Sequence, residues 1–178
     1  GPVTAAAVIL NLENLPAGLA DSKTLSHARR EALFAAIMAS AEVSVAHASV
    51  AEIDDLNILR ASHLAMERAV AGLPRAPHHV LVDGNLLPKG LHIPATAIVK
   101  GDGKSLSIAA ASIIAKVTRD RLMVDLAQQY APYGWAQNAG YPTKAHLLAL
   151  QEFGVTPWHR RSFKPVHNIL YQENSITP

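Results

Sequence analysis

Two aspartates, each following a short apolar run, are the side chains best suited to chemistry. Asp83 closes His79-Val-Leu-Val-Asp83 and precedes Gly84, while Asp102 lies in Lys100-Gly-Asp-Gly-Lys104, after the apolar run 95–99. Open α/β sheets gather ligands at the carboxyl ends of their strands, and a carboxylate there can hold a hard cation such as magnesium. Lysines beside it can meet phosphate. Two-metal hydrolysis of a phosphodiester uses both: one ion prepares the attacking water and the other stabilises the leaving oxygen. Each aspartate also has a plainer reading, because Asp-Gly and Gly-Asp-Gly are ordinary turn sequences.

A second group is basic and aromatic. His159-Arg-Arg-Ser-Phe-Lys164 places Arg160, Arg161 and Lys164 around one ring, and Lys104 adds a fourth cation. Such a run either grips a phosphate backbone or is a solvated surface. Tyr133, Trp135 and Tyr141 fall in a glycine-containing segment, 132–142. They either stack on sugars and bases or pack into the core.

Other chemistries are excluded. The chain of 178 residues has no cysteine, so disulfides, zinc–thiolate sites and thiol nucleophiles are out. Its nine histidines include no His-Glu-x-x-His pair, and neither a Gly-x-Ser-x-Gly elbow nor a phosphate loop occurs. His78 and His79 begin a strand, point to opposite faces and are read as structural or exposed. No run of about 18 apolar residues suggests a membrane span. Nothing resembles a signal peptide, and a reducing cytoplasm is the expected location. The net charge of +2 permits a nucleic-acid partner without requiring one.

The elements that must position these residues alternate in type. Residues 4–10 read as a buried strand opening the chain, and residues 11–23 as a loop broken by Pro16 and Gly18. Ser26 caps a helix reaching about Ser40, with Leu33, Phe34 and Ile37 inward. A strand covers Val43 and Val45. Ser49 with Glu52 forms a capping-box pattern ahead of a short helix. A longer helix follows to about Ala71, its apolar face being Ile58, Ala61, Ala65, Met66, Ala69 and Leu73; Gly72 and Pro74 end it. Residues 79–83 read as a strand buried on both faces, and 95–99 as another. Residues 107–129 form a long alanine-rich helix, and 132–142 a loop. Thr143 caps a helix ending before Gly154, and one short helix lies around residues 167–171. Alternating strands and helices predict an α/β sheet covered by helices, in a single domain over residues 1–178. From about residue 130 onward the chain is helical and basic.

Seven sequence words carry a family resemblance. They are Gly18-Leu-Ala-Asp-Ser-Lys23, Glu52-Ile-Asp-Asp-Leu-Asn-Ile-Leu59, Leu81-Val-Asp-Gly-Asn85, Val99-Lys-Gly-Asp102, Ala109-Ala-Ala-Ser-Ile-Ile-Ala-Lys-Val-Thr-Arg-Asp-Arg121, Gly140-Tyr-Pro-Thr143 and His159-Arg-Arg-Ser-Phe163. In this order they span nearly the whole chain, which resembles the bacterial ribonucleases HII. The resemblance implies a ribonuclease H-like fold: a central mixed sheet flanked by helices, with a helical C-terminal part. It implies an endoribonuclease acting on RNA–DNA hybrids and on DNA duplexes containing ribonucleotides, as a monomer, with Mg2+ or Mn2+ as cofactor. Cutting on the 5′ side of a ribonucleotide would leave 5′-phosphate and 3′-hydroxyl ends.

Asp83 and Asp102 match the third and fourth of the family's four metal-binding carboxylates. Tyr141 matches the tyrosine that packs under the ribonucleotide. Asp120, late in the long helix, is expected in a structural salt bridge. The family's first two carboxylates come as Asp-Glu at the end of a strand, followed by a Gly-Arg-Gly loop. The present sequence starts at Gly1-Pro-Val3, which is similar to the tail of that segment, and an omitted N-terminal stretch is expected. The alternative expectation is an inactive form that binds hybrids without cutting. Asn138-Ala139 stands where relatives often have His-Lys, so a phosphate contact there is weakened or replaced.

Overall fold

The computed structural model describes residues 1–171. The elements run β1 (Val3–Ile9), α1 (His27–Ser40), β2 (Glu42–Ala48), α2 (Val50–Leu56), α3 (Ile58–Ala71), β3 (Val80–Asp83), β4 (Ala95–Ile98), α4 (Leu106–Gln129), α5 (Trp135–Asn138), α6 (Lys144–Phe153) and α7 (Lys164–Tyr171). Two compact units result: residues 4–47 with 62–118, and residues 1–3 with 48–61 and the chain from 119 onward.

The first unit holds the strands. Its core joins Leu33 and Ile37 of α1 to Ala110, Ile113, Ile114 and Val117 of α4, with Val8, Val43 and Val45 packed against them. Alanines along one face of α4 let the helix approach closely, and Ala109 and Ala110 are buried. The start of α1 is set by Ser26, whose Oγ accepts the Arg29 N–H at 3.2 Å, satisfying a donor that the first helical turn leaves orphaned.

The strands stand as two separate pairs, β1 with β2 and β3 with β4, not as one continuous sheet. β3 and β4 are parallel, with Val80 opposite Ala95 and Asp83 opposite Ile98. β3 was expected to be buried on both faces. Instead Val82 alone is buried in it, Leu81 is 41% exposed and Asp83 is exposed. β1 likewise buries only Ala5. The physical reason is a cavity of about 780 Å³ lined by all of β1 from Thr4, all of β3, and Leu106, Ile108, Ala111 and Ala115 of α4. No residue of β2 or β4 lines it. The unpaired edges of β1 and β3 therefore face the same apolar slot.

The second unit is helical. Met123 and Leu126 of α4, Tyr133, Trp135, Ala149 and Leu150 of α6, and Val166 of α7 form its core. Ser49 and Glu52 make the expected capping box at α2. Thr143 caps α6, and the Gly154 N–H bonds the Leu150 carbonyl at the other end. The segment expected as loop holds structure: a 3-10 turn at Ala131–Tyr133 and the single-turn α5. Positive φ at Gly134 (63°), Ala139 (49°) and Gly140 (86°) folds it back on itself. α7 begins at Lys164, earlier than expected, because Pro165 suits a first turn in which its missing N–H is not needed.

The three ring residues of this segment separate cleanly. Tyr133 and Trp135 are 4% and 1% exposed, their rings stacked with centroids 5.2 Å apart, whereas Tyr141 is 67% exposed. Trp135→Ala is expected to cost about 3–5 kcal/mol, as for a large aromatic removed from a packed core. Urea titration of the variant checks this, and a loss below about 1 kcal/mol would show the core to be loose.

Candidate active site

The two candidate carboxylates lie in the first unit. Asp83 ends β3, and the turn that follows β4 returns to it. The Gly101 N–H donates to Asp83 Oδ1 at 2.8 Å, and the Gly84 N–H donates to the Ile98 carbonyl at 3.0 Å. Lys100, at φ 55°, turns the chain into the 3-10 turn Gly101–Gly103 that carries Asp102. Gly101 admits no side chain: a Cβ there would lie 2.5 Å from Ile108 Cδ1 and 3.3 Å from Asp83 Oδ1. The Asp83 carboxylate is thus tied to the turn that carries Asp102 by the Gly101 N–H.

They differ in setting. Asp102 is buried at 8% exposure, and Asp83 is exposed. Lys23 Nζ stands 3.8 Å from Asp102 Oδ2, its side chain 80% exposed. An exposed ammonium at that distance contributes little to stability, but it shows that the oxygen is open to a cation. Asp83 also lines the apolar slot. Among the described residues no group of three or more His, Asp or Glu is placed to hold a metal ion. These two oxygen donors suit a hard divalent cation. Lys104 follows on the same turn and is exposed.

The remaining candidates lie in the second unit, and the structure divides them. Arg161 and Lys164 are exposed. Arg160 is largely committed: its Nε donates to the Gly1 carbonyl at 3.0 Å, and its guanidinium lies 4.9 Å from the Phe163 ring centroid. Arg119 Nε donates to the Pro2 carbonyl at 2.9 Å. Burial first, then the Arg160 charge, lowers the Arg119 pKa to about 10, so its guanidinium remains charged at neutral pH. The Gly1 amine donates to the Trp158 carbonyl.

Sequence reasoning missed Asp54. Its carboxylate accepts the Arg161 N–H at 3.0 Å, the Ser162 N–H at 2.9 Å and the Ser162 hydroxyl at 2.6 Å. Partial burial raises its pKa, but the Ser162 hydroxyl and the two amides outweigh this and leave it lowered. Asp54 thereby fixes the path of the basic segment.

It also missed a buried histidine pair. His146 and His159 are 7% and 5% exposed, and their Nε2 atoms lie 3.2 Å apart. Burial, then the neighbouring His146, lowers the His159 pKa to about 4. The folded state therefore binds this proton less readily than the unfolded chain, whose histidine titrates near 6.5. The resulting stability is fully present above about pH 6.5 and is lost as pH falls through about 4. A thermal scan between pH 7.5 and 4 should show Tm falling across that window. In His159→Asn the fall should be shallower, and an unchanged slope would remove His159 as its source.

With this geometry in view, the comparisons decide the family. The sequence model for ribonuclease HII matches residues 1–166. The chain belongs to the ribonuclease HII family. It is 69% identical over 173 residues to the ribonuclease HII of Ruegeria sp. (strain TM1040), covering 97% of this chain and 76% of that protein. Its fold is similar to the ribonuclease H2 of Pyrococcus horikoshii OT3, with a TM-score of 0.78 and 28% identity, covering 98% and 94% of the two chains. It is also similar in fold to Bst-RNase HIII solved in complex with Mn2+, with a TM-score of 0.72 at 18% identity over 96% of this chain and 64% of that one.

Proposed function

We propose that the protein is a metal-dependent endoribonuclease that hydrolyses the RNA strand of RNA–DNA hybrids and cuts on the 5′ side of ribonucleotides embedded in DNA. Asp83 and Asp102 hold Mg2+ or Mn2+, and two further carboxylates enter on a β-strand seated in the slot between β1 and β3. The slot carries this reading. Its walls are two unpaired strand edges and an apolar helix face, and Asp83 stands on its lining. A strand there satisfies main-chain groups on both sides and brings its own side chains beside Asp83. The occupant this reading calls for is a strand of the same polypeptide outside residues 1–178.

Divalent ions bound there would activate water and stabilise the leaving oxygen. The chain's own residues have the other tasks. Asp83 and Asp102 supply fixed negative charge on rigid strand ends. Lys104, Arg161 and Lys164 attract the phosphate backbone, and Arg160 holds the substrate-facing segment in place as well as adding charge. Tyr141 presents an exposed ring to the sugar of the ribonucleotide, where the 2′-hydroxyl separates RNA from DNA.

The experiment compares two proteins on a duplex containing one ribonucleotide: residues 1–178 alone, and the enzyme expressed from its complete reading frame. The shorter chain should cut little or not at all, and the complete one should cut in Mg2+, leaving 3′-hydroxyl ends. Efficient Mg2+-dependent cutting by residues 1–178 would mean that the metal site needs no strand in the slot. A protein that binds hybrids but never cuts them in either form would support the binding-module alternative.

A further inference from the structure

The second unit contains a run of hydrogen bonds whose direction can be worked out from the acceptors alone. The Tyr141 carbonyl lies 2.9 Å from His146 Nδ1. A carbonyl can only accept, so Nδ1 carries the proton and Nε2 of the neutral ring presents a lone pair. That lone pair receives the Trp135 Nε1–H at 3.1 Å. At the other end the Thr156 N–H donates to His159 Nδ1 at 3.0 Å. Nδ1, which the Thr156 hydroxyl also meets at 2.9 Å, is therefore bare, His159 carries its proton on Nε2, and at 3.2 Å that proton shares the single lone pair of His146 Nε2 with the Trp135 N–H. These bonds select one tautomer of each ring. The chain of donation runs from the Thr156 amide through His159 and His146 to the main chain of Tyr141.

At its end stands Tyr141, held through its main chain. The Tyr141 ring is 67% exposed, so packing does not place it. Its N–H bonds the Asn138 carbonyl at 2.8 Å, and its carbonyl accepts both the Thr143 N–H at 2.8 Å and His146 Nδ1–H at 2.9 Å, of which only the histidine ties it to the buried core of α6. His159 precedes Arg160 directly, and Asp54 pins the next two amides. The pair itself is enclosed by aromatic rings, with His159 4.8 Å from Tyr133 and 5.2 Å from Trp135. Two phenyl rings would fill such a nest without the cost of desolvating polar groups. Phenyl rings would lose the directed bond to Tyr141 and would also leave the buried Trp135 Nε1–H and Thr156 N–H without their ring acceptors.

We propose that His146 and His159 form a positioning pair that sets Tyr141 against the ribonucleotide and Arg160 beside it, His146 acting through the Tyr141 carbonyl and His159 through His146. The inference rests on the reading of Tyr141 as a substrate contact. A small misplacement by a residue remote from the reacting atoms costs up to about 100-fold in rate.

The test is a double-mutant cycle in the enzyme expressed from its complete reading frame, on a duplex with one ribonucleotide. His146→Phe should lower kcat/KM about tenfold or more, while Tm stays within a few degrees and the Mg2+ dependence is unchanged. On a background of Tyr141→Ala the same change should cost almost nothing, because its effect passes through Tyr141. Full additivity of the two losses would overturn the proposal. If Tyr141→Ala alone has no effect, the substrate reading of Tyr141 fails first, a different outcome from additivity. Should His146→Phe not fold, His146→Gln takes its place in the cycle. Nitrogen chemical shifts of the wild-type histidines give a check that needs no variant: Nδ1–H on His146 and Nε2–H on His159 are required, and the reverse tautomers would overturn the pair.

Discussion

Asp83→Asn, made in the enzyme expressed from its complete reading frame, should abolish cutting and spare hybrid binding. The amide of asparagine keeps an oxygen that can accept the Gly101 N–H, now held at 2.8 Å by the carboxylate. The turn that carries Asp102 should therefore stay in place. What disappears is the negative charge that holds a hard cation. Loss of an outer partner of a metal ligand already costs about 10–100-fold in affinity or activity, and loss of a ligand's charge should exceed that. Asp102→Asn should act in the same direction, with a smaller effect if this carboxylate serves only one of two ions. Its folding cost should be small, because the Lys23 partner sits at 3.8 Å on a side chain 80% exposed, and exposed pairs contribute about 0–1 kcal/mol. Single-turnover cleavage at saturating Mg2+ measures the effect, with filter binding to the hybrid as the control. Near-normal turnover in either variant would reject that residue as a metal ligand.

Features determined by neighbouring residues were legible in the sequence. Ser26, the Ser49–Glu52 pair and Thr143 each cap a helix where their pattern placed them, because the bonds involved reach only three residues. Asp83 and Asp102 were legible as strand-end carboxylates for a similar reason. β3 was misjudged because burial of its second face depends on a neighbour that is not adjacent in sequence. The apolar run Val-Leu-Val is the same whether the next strand is present or the slot is open. Tyr133, Trp135 and Tyr141 could not be told apart, since composition does not record which ring turns inward.

Asp54 was invisible for a different reason: its partners Arg161 and Ser162 lie 107 and 108 residues away. The histidine pair left one usable trace. His146 stands three and four residues before the buried Ala149 and Leu150, on the inner face of α6. Metal-ligand spacing does not single it out. A histidine on an apolar helix face needs a hydrogen-bond partner, and asking for that partner leads to His159.

Tyr141 allows reading of the sugar to be separated from attraction to the backbone. Lys104, Arg161 and Lys164 are exposed cations, and any affinity they contribute should fall with salt and be indifferent to sequence. An aromatic ring against a nucleotide contributes roughly 1–3 kcal/mol with little dependence on salt. Tyr141→Ala should therefore weaken cleavage by about 5- to 150-fold, while the slope of log affinity against log salt stays as it was. Tyr141→Phe should retain most activity, because the ring remains. Arg161→Ala should behave oppositely, losing affinity at all sequences and flattening the salt slope by about one unit. Arg160→Ala is the mixed case. It should flatten the slope and also lower Tm, since its Nε is bonded to the Gly1 carbonyl at 3.0 Å. The competing account is that Tyr141 matters only for folding. An exposure of 67% argues against it, since a surface ring has little packing to lose. A Tyr141→Ala protein that melts several degrees lower, yet cuts normally per folded molecule, would establish that account and leave discrimination of the 2′-hydroxyl to another group.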